Sequence, residues 1–278
     1  MGFINKRDLY GNDYNACALC EYQREVKLIK RLINISEKAL EKQPVDNTWS
    51  YEGICHSFAK TIVDYSKMAY DNVLLGHFHA VKMINRSILE NLVCLDLIVN
   101  NEELWKYYWA YSYRSAIYKS KRTPIQRELD MLNGLYKDLD IQEDFYTKQP
   151  GRKKAFIQEP YGWTYKINDN KQFTFENICK LIGEEGSVEY RGFQMLSDYS
   201  HGTSFYMKMH SSVFVGDMMT MFIDMYINLY RMVTIYCWDS VDENFDAVTD
   251  ELECIFYRFI EHEEEIYNND YKCLLINC

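Results

Sequence analysis

The scarcity of chain-breaking residues constrains the fold of this sequence more than any other feature. Only 4 prolines and 12 glycines occur in 278 residues. A β-sandwich or barrel needs many turns, and turns depend heavily on these two residue types. The composition, 47% hydrophobic and 26% charged, is typical of a globular chain that can bury a sizeable core. We therefore predict an all-α fold, with residues 1–278 forming a single multi-helix bundle.

Hydrophobic residues recur at helical spacing along most of the chain and divide the predicted bundle into three parts. The clearest interruption is a loop that holds two of the four prolines and interleaves Lys and Arg with Tyr and Trp. The predicted parts are an N-terminal helix in 1–47, a core bundle over 48–241 with this loop at 147–172, and an acidic C-terminal helix and tail in 242–278.

Two long helices, 76–100 and 204–238, are predicted to be the central ones. The first is apolar around nearly its whole circumference, as buried helices are. The second carries polar residues at steps of seven, four and three, which place them on one face. A polar stripe favours the interior of a bundle over a lipid-facing helix, so we expect no membrane span. The stripe consists of Asp217, Asp224, Asn228 and Arg231.

Charge and cysteine usage narrow the class of protein. The net charge of -10 argues against broad nucleic-acid binding, because phosphates are recognised by a basic surface. Two basic runs, "KSKRTPIQR" at 119–127 and "GRKK" at 151–154, leave RNA binding open, with solvated loop charges as the alternative. The nine cysteines are scattered, and several, such as Cys94 and Cys237, stand in apolar helical contexts. Reduced, buried thiols have this distribution, which predicts a cytoplasmic protein.

Charged residues interrupt the first central helix. Arg86 and Glu90 stand one turn apart in its middle, and His79 shares their face. A buried charge costs several kcal/mol unless it is paired. The order Arg then Glu is the poorer orientation for a pair within one helix, which favours partners on other elements.

The stretch "YRGFQMLSDYSHG" at 190–202 offers such partners. Its polar residues follow steps of four, three and four and therefore share one helix face. We predict that this face meets the pair formed by Arg86 and Glu90. The face consists of Tyr190, Gln194, Ser197 and His201.

Hydrolysis of a phosphodiester is the most specific function that these residues suggest. His201 would act as a base oriented by Glu90, Arg86 would bind a phosphate or carboxylate, and Ser197 is a candidate nucleophile. Tyr190, Gln194 and His79 would line the ligand. No HExxH or similar local motif supports a metal at His79, Glu90 and His201, so we predict no metal site there, and the sequence identifies no cofactor.

Three other functions fit the same residues. The cluster could belong to a non-catalytic sensor or interaction module, to a small-ligand binder, or to a satisfied polar network inside a helical core. The 24 tyrosines exceed what a core needs, which predicts a protein partner or a second copy of the chain. Whether the protein is an enzyme stays open at this point.

The residues just described also carry a resemblance. "NRSILENL" followed by Tyr190, Ser197 and His201 resembles a bacterial family of all-helical proteins that carry a domain of unknown function, over about 55–240. The resemblance implies a helical fold and a mobile-element or phage-defence setting, but no established activity. A more distant resemblance is to the HEPN helical ribonucleases and toxins. Their signature, Arg followed by His after four to six residues, is absent, because Arg191 precedes His201 by ten positions.

Overall fold

The computed structural model of the protein describes residues 22–43, 45, 49–118, 123–169, 171–183, 190–191, 194 and 213–276. The regular elements within these ranges are all helical, and no strand occurs among them, which confirms the predicted all-α class. The α-helices named below are, in chain order, α1 (Gln23–Glu41), α2 (Tyr51–Leu74), α3 (Phe78–Asn100), α4 (Leu104–Tyr118), α5 (Gln126–Asp138), α6 (Glu143–Tyr146), α7 (Phe175–Lys180), α8 (Val213–Met232) and α9 (Asn244–Ile276). A π-helix, Val233–Cys237, and a 3-10 helix, Trp238–Ser240, follow α8.

The chain divides into two compact units. The described residues within 1–42, 63–85 and 199–278 form unit 1, and those within 43–62 and 86–198 form unit 2. The divisions at 62/63 and 85/86 fall inside α2 and α3, so each of these helices contributes to both units. The predictions of a single domain and of two central helices stay predictions.

Unit 1 is held together by α1, which packs against α8 and α9. The apolar residues of α1 recur every three or four positions, and the side facing α8 and α9 is buried. The facing side of α8 is rich in methionine, whose flexible side chain fills irregular gaps. Each fully buried side chain of this size contributes about 1.5–3 kcal/mol. The buried residues include Leu28, Ile29, Leu32 and Ile33 of α1 and Met218, Met221, Met225 and Met232 of α8.

Unit 2 is organised around the C-terminal half of α3 and around α4. Residues 92–98 are all buried, as the apolar pattern of this helix predicts. The predicted loop at 147–172 contains no α-helix in its described residues, but it folds into two 3-10 turns, Phe156–Gln158 and Gly162–Thr164, and both pack against α4. Gly162 is required there, because a Cβ would lie 1.7 Å from the carbonyl oxygen of Phe156. Trp163 is fully buried beside Tyr108, with ring centroids 5.4 Å apart.

Local signals set several helix ends. The break between α2 and α3 falls at Gly76, which has a φ of 73° that residues with a Cβ rarely adopt. Thr174 caps α7, and its hydroxyl oxygen accepts a hydrogen bond from the backbone N–H of Asn177 at 3.3 Å. Among the described residues, no helix has both the length and the apolarity needed to cross a membrane.

Candidate ligand-binding site

The candidate site in unit 2 starts from one face of α3. Arg86, Glu90 and Cys94 follow one another at steps of four, so they lie above each other on this face. Arg86 and Glu90 are half-buried, whereas Cys94 is buried. The charged end of this face, at Arg86, is therefore partly accessible to solvent, whereas the end at Cys94 is buried.

Glu90 finds its partner in the turn that precedes Gly162. The hydroxyl of Tyr161 donates a hydrogen bond to Glu90 Oε1 at 2.6 Å. A bond of this length to a carboxylate belongs to the stronger class of protein hydrogen bonds. The position of Tyr161 is fixed locally, because its backbone carbonyl accepts a hydrogen bond from the hydroxyl of Thr164 at 2.8 Å.

The pKa of Tyr161 reflects both the burial of its hydroxyl and the charges of Glu90 and Arg86. Burial raises this pKa most, and the hydrogen bond to Glu90 and the charge of Glu90 raise it further. The positive charge of Arg86 opposes the shift, so its guanidinium acts on the same hydroxyl. Tyr161 consequently keeps its proton near neutral pH and serves as a hydrogen-bond donor, not as a base or nucleophile. We call Arg86, Glu90 and Tyr161 the α3 cluster.

Tyr108 and Tyr111 of α4 and the Cys94 thiol lie within electrostatic range of Glu90, and Cys179 lies near Cys94. Burial raises the pKa of Tyr108 to about 12 and also raises that of Tyr111, and the charge of Glu90 contributes to both. Burial raises the pKa of the Cys94 thiol and brings that of Cys179 to about 12. These groups stay neutral near pH 7. The charge of the site therefore comes from Arg86 and Glu90.

The predicted residues on the 190–202 stretch are only partly described. The side-chain amide of Gln194 donates to the Tyr190 hydroxyl at 3.0 Å, and Tyr190 is also hydrogen-bonded to Glu176 of α7. Within the part of the chain that the structure describes, none of their hydrogen bonds reaches Arg86 or Glu90.

Three further candidates lie wholly or partly outside the described structure. Ser197 and His201 are outside the described residues, and the side chain of His79 is not described either. The predicted meeting of the two faces, and the catalytic roles assigned to them, stay predictions. The structure instead adds Tyr161, which sequence reasoning noted only as one of several aromatic residues in a basic loop.

A second polar contact lies in unit 1, between α3 and α8. The side-chain amide of Asn85 donates to Asp224 Oδ2 at 3.3 Å, while Asn85 Oδ1 is buried without a partner among the described residues. Asp224 belongs to the polar stripe predicted on this helix, and Asn228 of the same stripe is buried. Burial raises the pKa of Asp224 to about 6, against the opposing effects of the Asn85 hydrogen bond and the charge of Lys82. Asn228 thus faces the protein interior, whereas Asp224 is half-buried as a residue and only its carboxyl group is removed from solvent.

Neither the metal-binding side chains nor comparison with known proteins identifies a function for the site. Over the described ranges, no three side chains of His, Cys, Asp or Glu converge on a point where they could hold a metal ion. Comparison with protein-family models, with curated proteins and with solved structures finds no match. The resemblances to a helical domain of unknown function and to the HEPN proteins therefore stay predictions.

Proposed function

We propose that unit 2 binds a small anionic ligand at the α3 cluster. The ligand carries a phosphate or carboxylate group next to a hydrogen-bond donor. One observation carries the proposal: Tyr161 holds Glu90 at 2.6 Å, and Arg86 acts electrostatically on the same hydroxyl. A guanidinium and an oriented carboxylate are thus combined in a half-buried place.

The two charged groups complement the two parts of such a ligand. The guanidinium of Arg86 has five N–H donors, so it can bind an anionic group bidentately while keeping another partner. Glu90 uses one oxygen for Tyr161 and retains lone pairs on the other for an N–H or O–H group of the ligand. Because the groups are half-buried, their electrostatic interactions are stronger than in bulk water.

Orientation of Glu90 before the ligand arrives would reduce the cost of binding. A carboxylate that is already hydrogen-bonded loses less conformational freedom when a ligand contacts it. The neutral tyrosines and thiols around it add hydrogen-bonding or apolar surface without competing charge. Mononucleotides and dinucleotides, amino acids and hydroxycarboxylates all have the required chemistry.

Hydrolysis of a phosphodiester is the catalytic extension of this proposal. It requires His201 as the base and Ser197 as the nucleophile, next to a ligand held by Arg86 and Glu90. A sensor or interaction module in a defence setting would use the same cluster to bind a ligand without turnover. Binding is common to both, so it is tested first.

The binding test compares melting temperatures with and without three ligand classes: nucleotides, amino acids and hydroxycarboxylates. We expect one class to stabilise the wild type, by about 2.7 kcal/mol at a ligand concentration of 100 Kd. Arg86→Gln and Glu90→Gln should lose this ligand-dependent gain. Arg152→Gln is the matched control, because Arg152 is also half-buried in unit 2 and forms an ion pair with Glu159 at 3.6 Å.

The outcomes separate a binding site from a structural network. If no class stabilises the wild type, and the Arg86 and Glu90 variants simply melt at lower temperature, the cluster has only a structural role. If a ligand stabilises all variants equally, it binds elsewhere. Once a ligand is found, loss of its turnover in His201→Ala with retained binding would establish hydrolysis, whereas binding without turnover in the wild type would establish a binding module.

A further inference from the structure

The two charged groups of the α3 cluster have opposite signs and lie on one face of one helix. Arg86 and Glu90 are four residues apart, so their Cβ atoms are separated by about 5–6 Å. The order Arg then Glu is the poorer orientation for a direct intrahelical pair. Glu90 Oε1 is held instead by the Tyr161 hydroxyl at 2.6 Å. A ligand at this face would therefore meet a positive and a negative group within one helical turn.

The charges of Arg86 and Glu90 cancel each other. Burial raises the pKa values of Tyr108, Tyr111 and Cys94, so these groups near Glu90 keep their protons near pH 7 and add no charge. A nucleotide or a hydroxycarboxylate would bring an uncompensated negative charge into this half-buried place, and the desolvation of an uncompensated charge is costly. A ligand with one charge of each sign would leave the sum at zero.

A further cation, Arg114, lies on the α4 side and is engaged there. Its positive charge opposes the rise in the pKa of Tyr111. The guanidinium lies over the ring of Tyr118, one turn further along α4, at 4.3 Å from the ring centroid. Such a contact between a guanidinium and an aromatic face is favourable. Arg86, by contrast, acts on the Tyr161 hydroxyl that holds Glu90.

The aromatic residues near Glu90 favour a positively charged donor. Tyr161 donates to the carboxylate, and Tyr108 and Tyr111 lie within its electrostatic range. Tyr108 is positioned by Trp163 of the same turn that carries Tyr161, with ring centroids 5.4 Å apart. Aromatic faces attract an ammonium group, and a carboxylate binds a charged donor more strongly than a neutral one.

We propose that the ligand of the α3 cluster is an α-amino acid, bound as the zwitterion. Its carboxylate binds the guanidinium of Arg86 bidentately, and its ammonium group donates to Glu90 Oε2, the oxygen that Tyr161 does not use. The two charges of an α-amino acid are carried on one carbon atom and its neighbour, which suits opposite charges one helical turn apart. Amino acids are one of the three ligand classes named above, and their binding here rests on that proposed function.

Matched pairs of ligands test the role of the ammonium group. The common amino acids are first screened by their effect on the melting temperature of the full-length protein. Each one that stabilises is then compared, by isothermal titration calorimetry, with the 2-hydroxy acid that has the same side chain. We expect the amino acid to bind at least about ten-fold more tightly, because a charge-assisted hydrogen bond is about twice as strong as a neutral one.

Variants of the site assign each part of the ligand. Glu90→Gln should remove the preference for the amino acid over its hydroxy acid, whereas Arg86→Gln should weaken the binding of both. Tyr111→Leu should weaken amino-acid binding about three- to five-fold more than Tyr111→Phe, which keeps an aromatic ring. Arg152→Gln, the control used above, should leave both affinities unchanged. Circular dichroism of each variant confirms that it is folded.

The outcomes separate this proposal from the broader one. Equal affinity of an amino acid and its hydroxy acid would overturn the zwitterion while leaving the binding of an anionic group intact. Stabilisation by nucleotides alone, lost in Arg86→Gln, would have the same meaning. An unchanged preference for the amino acid in Glu90→Gln would place the ammonium group elsewhere and would also overturn the proposal. If none of the three ligand classes stabilises the wild type, both proposals fail.

Discussion

Replacement of Asp224 by Asn should make the protein more stable at neutral pH. Burial raises the pKa of Asp224 from 3.8 to about 6, because the ionised carboxylate loses solvation on folding. The Asn85 hydrogen bond and the charge of Lys82 offset part of this cost. Asn at 224 has nearly the same shape and can still accept the Asn85 N–H through its amide oxygen, but it cannot ionise.

The direction of the pH dependence follows from proton binding. The folded state binds the proton of Asp224 more tightly than the unfolded state does, so proton binding stabilises the folded state. This contribution is complete below about pH 3.8 and is lost as pH rises through about 6. A shift of roughly two pKa units corresponds to about 3 kcal/mol. From pH 4.0 to pH 7.5, the free energy of unfolding of Asp224→Asn should therefore rise by about 2–3 kcal/mol relative to wild type.

Urea unfolding at pH 4.0 and pH 7.5, followed by circular dichroism, measures this difference. Comparison of the two pH values cancels any pH-independent cost of fitting an amide at position 224. Met225→Leu is the control, because Met225 is a buried, non-titrating neighbour on the same helix, and its effect should be the same at both pH values. If the free energy of unfolding differs between wild type and Asp224→Asn by the same amount at both pH values, the pKa of Asp224 is not raised by folding and the reasoning is wrong.

Two further predictions concern unit 2 and use the same urea assay. Gly162→Ala should cost more than about 3 kcal/mol, since a Cβ would lie 1.7 Å from the backbone oxygen of Phe156, whereas Gly134→Ala in α5, with nothing within 4 Å, should stabilise by about 0.5–1 kcal/mol. Equal tolerance of both substitutions would contradict the packing described for the turn. Tyr161→Phe should cost about 1–2 kcal/mol because it removes the donor to Glu90, and a double-mutant cycle with Glu90→Gln should show coupling. Strict additivity of the two substitutions would rule out the hydrogen bond as a stabilising contact.

Most helices of the described chain could be predicted from local sequence. The interval between α2 and α3 depends on Gly76, and the start of α7 on Thr174, and both effects act within one turn of the backbone. The buried face of α1 was visible as apolar residues at helical spacing. Such features are decided by neighbours in sequence, so periodicity and capping rules suffice.

The candidate site was predictable only in part, because its contacts join distant parts of the chain. The sequence indicated that Arg86 and Glu90 need partners from another element, since their order disfavours an intrahelical pair. It did not identify Tyr161, which lies 71 positions from Glu90 in a segment without periodicity. Its position depends on a 3-10 turn that forms because Gly162 admits the Phe156 carbonyl, and no pattern along one element indicates that packing.

The arrangement of unit 1 has a consequence for protein synthesis. α1 ends at Glu41, but α8, against which it packs, starts at Val213, so about 170 residues are translated in between. At ~5–20 residues per second, the apolar face of α1 is on the nascent chain for roughly ten to thirty seconds before its partners exist. Ribosomes that stop before Val213 would release chains whose Ile29, Leu32 and Ile33 lack the surfaces of α8 and α9 that pack against α1. We therefore expect incomplete chains to depend on chaperones far more than the finished protein does.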